Sequence, residues 1–279
     1  MKNPSLVNAK WLQTHLEDPE LIVLDTTLAK PKASTSDIEH HDLQIPGARF
    51  FDIDHAFSDR SVDLPHMMCD PQQFQKEAQK LGINANSTVV VYDPHGVYSS
   101  PRAWWMLKSM GHEHVTLLDG GLPDWIHSGY ATEPKQTVAI DQGNFQANFN
   151  ATCFVNSSYV LETIGQQKVQ VLDARSRGRF EATEPEPRAG LRGGHIPNSI
   201  SLPFTEVLDG TKMKNHGDLK ALFQSLLLQD QRLVCSCGSG LTAGIILFAA
   251  HLVGLESLAI YDGSWTEWGG DTALPVSTN

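Results

Sequence analysis

The stretch from Leu233 to Ala243 places a thiol where its chemistry can be controlled. The apolar run Leu233-Val234-Cys235-Ser236 leads into Cys237. Three small residues follow, Gly238, Ser239 and Gly240, and the residues from Leu241 to Leu255 read as a helix. A strand, a tight turn and a helix succeed one another, with Cys237 at the start of the turn. Backbone N–H groups of such a turn, with Gly238, Gly240, Leu241 and Thr242 as the candidates, converge on its centre. The helix adds the positive end of its dipole. Both favour an anion, which predicts that Cys237 is held as a thiolate, the nucleophilic form. The chemistry expected is covalent catalysis at one cysteine.

Several enzyme classes place a cysteine in an anion-holding loop. A cysteine-dependent phosphatase needs an Arg six residues after the Cys, and here that position is Ala243. No Lys or Arg follows Arg232 anywhere in the chain. The loop must hold its anion with backbone N–H groups, which suits a persulfide or a single developing charge better than a phosphate dianion. A cysteine protease needs a His base. The twelve histidines leave that possibility open by spacing, but no protease motif surrounds Cys237. Cys235 and Cys237 form C-x-C without a second pair, so no structural metal site is expected. Cys235 lies two residues earlier on the same strand and reads as core, and Cys69 and Cys153 read as structural thiols. From Asp173 to Arg188 the chain is dense in Arg, with Arg175, Arg177, Arg179 and Arg188. Arg has the planar fork that matches a carboxylate.

These groups need a scaffold, and 279 residues suffice for two modest domains. Apolar content of 41% and charged content of 19% are globular values. The net charge of −11 argues against a nucleic-acid partner, which requires clustered Lys and Arg. Four cysteines without a disulfide pattern point to a reducing compartment. Met1 to Leu16 lacks the apolar run of a signal peptide, and no stretch of about 18 apolar residues predicts a membrane span. The expected location is the cytoplasm.

The chain also repeats itself. Leu21–Asp25 resembles Val169–Asp173 at an offset of 148, and Val89–Asp93 resembles Leu233–Cys237 at 144. His41–Pro46 resembles Arg192–Pro197 at about 151, and Asp119–Trp125 resembles Asp262–Trp268 at 143. Four pairs in the same order indicate duplication. Each half alternates short β-rich runs with helical patterns: Pro71–Leu81 and Pro101–Met110 in the first, Leu219–Leu228 and Leu241–Val253 in the second. The fold class expected is α/β, two tandem domains that are each a mainly parallel sheet flanked by helices. Residues 1–135 form the first domain, 136–152 a polar linker and 153–279 the second domain. Asp93 occupies the position of Cys237 in the first half and reads as a helix cap, so only the second half is expected to be catalytic. The first half is expected to contribute residues to a site between the domains. Trp104, Trp105, Trp265 and Trp268 read as mostly core, with Trp265 at the mouth of that site.

The residues from Cys237 to Ala243, with Gly194-His195-Ile196-Pro197, Phe50-Phe51-Asp52-Ile53-Asp54, Pro101-Arg102-Ala103-Trp104-Trp105 and Asp262-Gly263-Ser264-Trp265, resemble the two-domain rhodanese-type sulfurtransferases. Within that family the loop is most similar to that of the mercaptopyruvate-using enzymes, with Leu241 where Val is usual. Thiosulfate-using members typically carry basic residues in the loop, and Gly238-Ser239-Gly240 has none. Asn198 stands where the family often has Gly. The resemblance implies sulfur transfer from mercaptopyruvate through a persulfide on Cys237, with Arg179 and Arg188 holding the donor's carboxylate and carbonyl oxygens. It implies a proton relay of Ser239, His66 and Asp54. It implies no cofactor, a thiol, cyanide or thioredoxin-like acceptor, and a monomer. The alternatives are a thiosulfate sulfurtransferase and a non-catalytic rhodanese-like binding module.

Overall fold

A computed structural model describes residues 4–29, 39–136, 139–227 and 230–278. The residues before Pro4, the end of the expected helix at Leu228, and Thr137 and Val138 of the expected linker lie outside this set. The chain forms two compact units. The first comprises residues up to Asp59, Cys69–Asn150 and Gly210–Met213. The second comprises Arg60–Met68, Ala151–Asp209 and Lys214 onward. Each repeat therefore gives a short segment to the unit built by the other. A single cut between residues 135 and 153 does not capture this exchange.

The first unit contains β1 (Leu6–Val7), α1 (Ala9–His15), β2 (Leu21–Asp25), β3 (Leu43–Gln44) and β4 (Arg49–Phe50). These are followed by α2 (Pro71–Lys80), β5 (Thr88–Tyr92), α3 (Ser100–Ser109), β6 (Val115–Leu118), α4 (Gly121–His127) and β7 (Glu133–Pro134). Its main sheet is parallel, in the order β1-β6-β5-β2-β4. β5 is central, and its Val89, Val90 and Val91 are fully buried, as expected of a strand covered on both faces. α2 is an amphipathic helix with Phe74 and Ala78 inward, started by Pro71 and by Asp70, whose side chain accepts from the N–H groups of Gln72 and Gln73.

The second unit contains β8 (Phe154–Val155), α5 (Ser157–Thr163), β9 (Val169–Asp173), α6 (Arg177–Phe180), β10 (Ile200–Ser201) and β11 (Leu208–Asp209). After the short β12 (Lys212–Met213), which belongs to the first unit, come α7 (His216–Leu226), β13 (Arg232–Ser236), α8 (Ala243–Leu252), β14 (Leu258–Tyr261) and α9 (Ser264–Gly270). Its parallel sheet runs β10-β9-β13-β14-β8, the first sheet's order repeated strand for strand. Asp25 pairs with Tyr92 in one register and Asp173 with Ser236 in the other, so Asp93 and Cys237 are equivalent. The cores match as well. Val23, Ile45, Val90, Leu122 and Trp125 in the first correspond to Val171, Ile196, Val234, Trp265 and Trp268 in the second.

The α/β class with two mainly parallel sheets is therefore the observed architecture. Two sequence readings change. The helix after Cys237 begins at Ala243 rather than Leu241 and ends at Leu252, so Leu241 and Thr242 belong to the loop. The polar segment before Ala151 is not a bare tether. Backbone N–H groups of Gly143, Phe145, Asn148 and Asn150 donate to carbonyls of Gln79, Ile83, Met110 and Ser109. Phe145 is buried among Phe74 and His112. The segment has no periodicity because it runs extended along the first unit.

Candidate active site

α8 is apolar all round, and Ala243 to Ala250 are all buried. A helix of that kind is a fixed part of the core, so the loop from Cys237 to Thr242 is held at both ends. The other side of the loop is fixed by α9. Trp265 and Thr266 donate their N–H groups to the carbonyls of Cys237 and Gly238, both at 2.9 Å. The Thr266 hydroxyl also donates to the Gly238 carbonyl, at 2.6 Å. Ser264 sits in the left-handed region at φ 49°. Its hydroxyl donates to the Tyr261 carbonyl and accepts from the Cys237 N–H at 3.3 Å. The equivalent residue in the first unit is Gly121, at φ 53°, where a Cβ would strike the Asp93 carbonyl. Ser264 tolerates this conformation with its hydroxyl tied down.

The first unit shows what this loop geometry binds. The Asp93 carboxylate turns back into its own loop. One oxygen accepts from the N–H groups of Tyr98, Ser99 and Ser100 at 2.7, 3.0 and 3.0 Å, and from the Ser100 hydroxyl at 2.7 Å. The other accepts from the His95 N–H. The first-unit loop is an anion cradle filled by its own side chain. Counting back from the helix starts, the corresponding N–H groups in the second unit are those of Leu241, Thr242 and Ala243. Among the described residues, no backbone carbonyl accepts from these three. Cys237 itself is buried, 2% exposed. The remaining thiols are unsuited to attack: burial, followed by the neighbouring Asp70, pushes Cys69 up to about 12. Burial also raises Cys153 and Cys235.

Arg179 and Arg188 meet at the loop. A Cβ built on Gly238 would lie 3.3 Å from Arg179 Nη2 and 3.6 Å from Arg188 Nη1. Arg179 is carried on α6. That helix is started by Ser176, whose side chain accepts from the Arg179 N–H. His195 holds it from below: its ring stacks on Phe180 at 3.7 Å and its Nδ1 lies 2.9 Å from the Phe180 carbonyl. The Gly-His-Ile-Pro signature thus has a mechanical role. Asn198, just after it, is at φ 63°. A Gly is favoured there, and Asn is among the few side chains that tolerate the conformation.

Sequence reasoning missed Glu186. Its side chain, 2% exposed, bridges two guanidiniums. Oε1 accepts from Arg175 Nη1 at 2.7 Å and Oε2 from Arg179 Nη2 at 2.6 Å. Arg175 is wholly buried. It also donates to both oxygens of Asp173 and to the Gly194 carbonyl, and it lies 4.1 Å over the Trp265 ring. Trp265 is fully buried beneath it, core rather than mouth. Arg177 is exposed and pairs with Glu206. In sequence, Glu186 is one of several carboxylates in a polar run; the signal was its position two residues before an Arg assigned to the site.

His66 belongs to the segment that joins the second unit. Its Nδ1 lies 3.0 Å from Ser239 Oγ and 3.3 Å from the Ser239 carbonyl. The hydroxyl can donate to a neutral imidazole or accept from a protonated one. His66 is at φ 61°. Two residues on, the Met68 N–H donates to Asp262 Oδ2 at 2.7 Å. The first unit does the same: Asp119 Oδ1 accepts from the N–H of Met213 at 2.9 Å. The Asp of each Asp-Gly-Gly/Ser motif thus holds the segment received from the other repeat. Asp54 is an exposed residue of the first unit. Among the described residues, no group of three or more His, Cys, Asp or Glu is placed to hold a metal ion, and no helix is long and apolar enough to cross a membrane.

Comparison with known proteins identifies the family. The rhodanese-like domain family matches residues 8–128 and again 156–271. The 3-mercaptopyruvate sulfurtransferase of Escherichia coli is 38% identical, over 99% of each chain. The thiosulfate sulfurtransferase of Rattus norvegicus is 36% identical, over 95% of this chain and 91% of its own. The crystal structure of SseA from Escherichia coli, described as a 3-mercaptopyruvate sulfotransferase with the rhodanese fold, superposes with a TM-score of 0.83 at 36% identity, covering 94% of this chain and 99% of its own. The chain belongs to the rhodanese-like family, as a tandem of two such domains, and to its sulfurtransferase enzymes.

Proposed function

We propose that the chain transfers sulfur from 3-mercaptopyruvate to a thiol, cyanide or thioredoxin-like acceptor through a persulfide on Cys237. The observation that carries this reading is the convergence of Arg179 and Arg188 on Gly238, beside a cysteine loop with no cation of its own. Two forks over one face suit a small α-keto acid, one for the carboxylate and one shared with the carbonyl. Relatives named for mercaptopyruvate and for thiosulfate have nearly the same identity, 38% and 36%, so overall similarity does not choose the donor. What supports mercaptopyruvate is the loop without a basic residue and the two arginines beside it.

In the first half-reaction the Cys237 thiolate attacks the donor sulfur. An S–S bond forms and the C–S bond breaks, its electron pair leaving on the carbon as the enolate of pyruvate. The proton from the donor thiol passes by way of Ser239 and His66 to that carbon, giving pyruvate. Cys237 then carries the persulfide anion, which the N–H groups of Leu241, Thr242 and Ala243 stabilise as preorganised dipoles. In the second half-reaction an acceptor thiolate or cyanide attacks the outer sulfur, the S–S bond breaks, and its electron pair returns to Cys237. Ping-pong kinetics follow. The part of Asp54 in the relay rests on the resemblance alone. A monomer in the cytoplasm completes the reading.

The test compares kcat/KM for mercaptopyruvate and thiosulfate, with pyruvate release and the mass of the protein followed together. Preference for mercaptopyruvate, one pyruvate per turnover and one added sulfur on Cys237 are expected. Preference for thiosulfate, or full transfer by Cys237→Ser, overturns the reading.

A further inference from the structure

We propose that Glu186 sets the charge of the donor site, and through it the preference for a monoanionic over a dianionic sulfur donor. The inference rests on the reading above, in which Arg179 and Arg188 face the donor. Three guanidiniums gather here, Arg175 and Arg179 bridged by Glu186 and Arg188 beside Arg179 at Gly238, against two carboxylates, Asp173 and Glu186. Asp173 and Arg175 are paired through several bonds and are buried together. Glu186 spends its second oxygen on Arg179. Arg188 has no carboxylate partner among the described residues. The assembly therefore presents one net positive charge to the loop.

That charge matches a keto acid with a single carboxylate. A donor such as thiosulfate brings two negative charges, and the second finds Arg179 already neutralised. Beside the buried Glu186 and Cys237 an unmatched charge is costly, because interactions are stronger and hydration is reduced. Neutralising Glu186 releases Arg179 as a second uncompensated cation. Glu186 touches the donor nowhere in this scheme; it is a positioning residue acting through Arg179.

The experiment measures kcat/KM for thiosulfate and for mercaptopyruvate in wild type, Glu186→Gln, Glu186→Asp and Arg179→Gln, with thermal unfolding of each. Competitive inhibition by sulfate and by pyruvate supplies non-reacting dianion and monoanion probes. Glu186→Gln is expected to raise the thiosulfate-to-mercaptopyruvate ratio about tenfold or more, a step of roughly one unit charge in a partly screened site. It should tighten sulfate relative to pyruvate in the same direction. Glu186→Asp keeps the charge and should stay near the wild-type ratio. Arg179→Gln leaves the assembly neutral and should move the ratio the opposite way, which keeps the test open should Glu186→Gln fail to fold. A folded Glu186→Gln with unchanged ratios, or an Arg179→Gln that shifts them the same way, overturns the proposal. A wild type that prefers thiosulfate overturns the donor reading instead, and the change on substitution remains readable.

Discussion

Arg179 and Arg188 stand over the same glycine, but their surroundings give them different work. Arg179 is tied to a buried carboxylate by its Nε and Nη2, while Arg188 is only half-buried and pairs with no carboxylate among the described residues. Removing Arg188 deletes a free charge and leaves nothing orphaned. Arg188→Gln is expected to raise KM for mercaptopyruvate by on the order of 100-fold, the worth of a charge-assisted bidentate bond, with the melting temperature unchanged. Arg179→Gln leaves Glu186 buried with one partner fewer. It should cost about 1–3 kcal/mol of stability as well as donor affinity. Steady-state kinetics beside urea unfolding separates the two; equal stability losses would refute the division. The turn at Cys237 was readable from the residue types themselves, whereas Ser239, His66 and both arginines were singled out only through the family resemblance, and the structure gathers them around one loop. Glu186 was legible in neither way. A carboxylate in a polar run reads as solvated surface, and its burial arises only when Arg175 and Arg179 close over it from another part of the loop.

Strands, turns and helices do the placing, and here the duplication is informative. Both units build the same device, a central parallel strand, a loop of inward N–H groups and a buried helix. One fills it with Asp93 and the other leads into it with Cys237. The repeat was legible, and so was the role of Asp93 as a helix cap. The exchanged segments were not, because nothing local in Arg60–Met68 says which unit it will pack with. The anchor is Asp262, itself buried, through the Met68 N–H. His66 depends on that anchor, since its left-handed backbone restricts how the segment can otherwise run. Asp262→Ala is expected to lower kcat several-fold or more, with a smaller change in KM, because the imidazole beside Ser239 is no longer fixed. Asp262→Asn keeps an acceptor for the N–H and should retain most of the rate. The check is the kcat and KM pair for both variants. Equal losses in Ala and Asn would place the role of Asp262 in its charge rather than in holding the segment.

Across the whole molecule the two repeats share a fold but differ at one buried histidine. After α3 the chain turns at Gly111 and His112, as it turns after α8 at Gly254 and Leu255. In each turn the second residue's N–H reaches the same carbonyl, that of Leu107 or of Ala250. The first repeat therefore buries a histidine where the second has a leucine. His112 is 2% exposed, with Nε2 2.9 Å from the Ser87 carbonyl. Burial holds its imidazole down from the ordinary 6.5 to about 4. Between those values the unfolded chain takes up a proton that the folded chain refuses, so folding stability rises with pH across this window and is lost as pH falls through it. By pH 4 the loss attributable to this one group is about 3 kcal/mol relative to neutral pH. Two units of this kind need not unfold as one, so the expected signature is an unfolding transition of the first unit that weakens below about pH 6.5 while that of the second holds. His112→Leu, which copies the second repeat, should remove this part of the pH dependence. At neutral pH it should cost about 1 kcal/mol, since the Ser87 carbonyl loses its partner. Urea unfolding at several pH values, in wild type and variant, measures the difference directly. Parallel pH curves would mean that His112 takes up its proton in the folded chain, and the acid sensitivity of the first repeat would then have to come from its carboxylates.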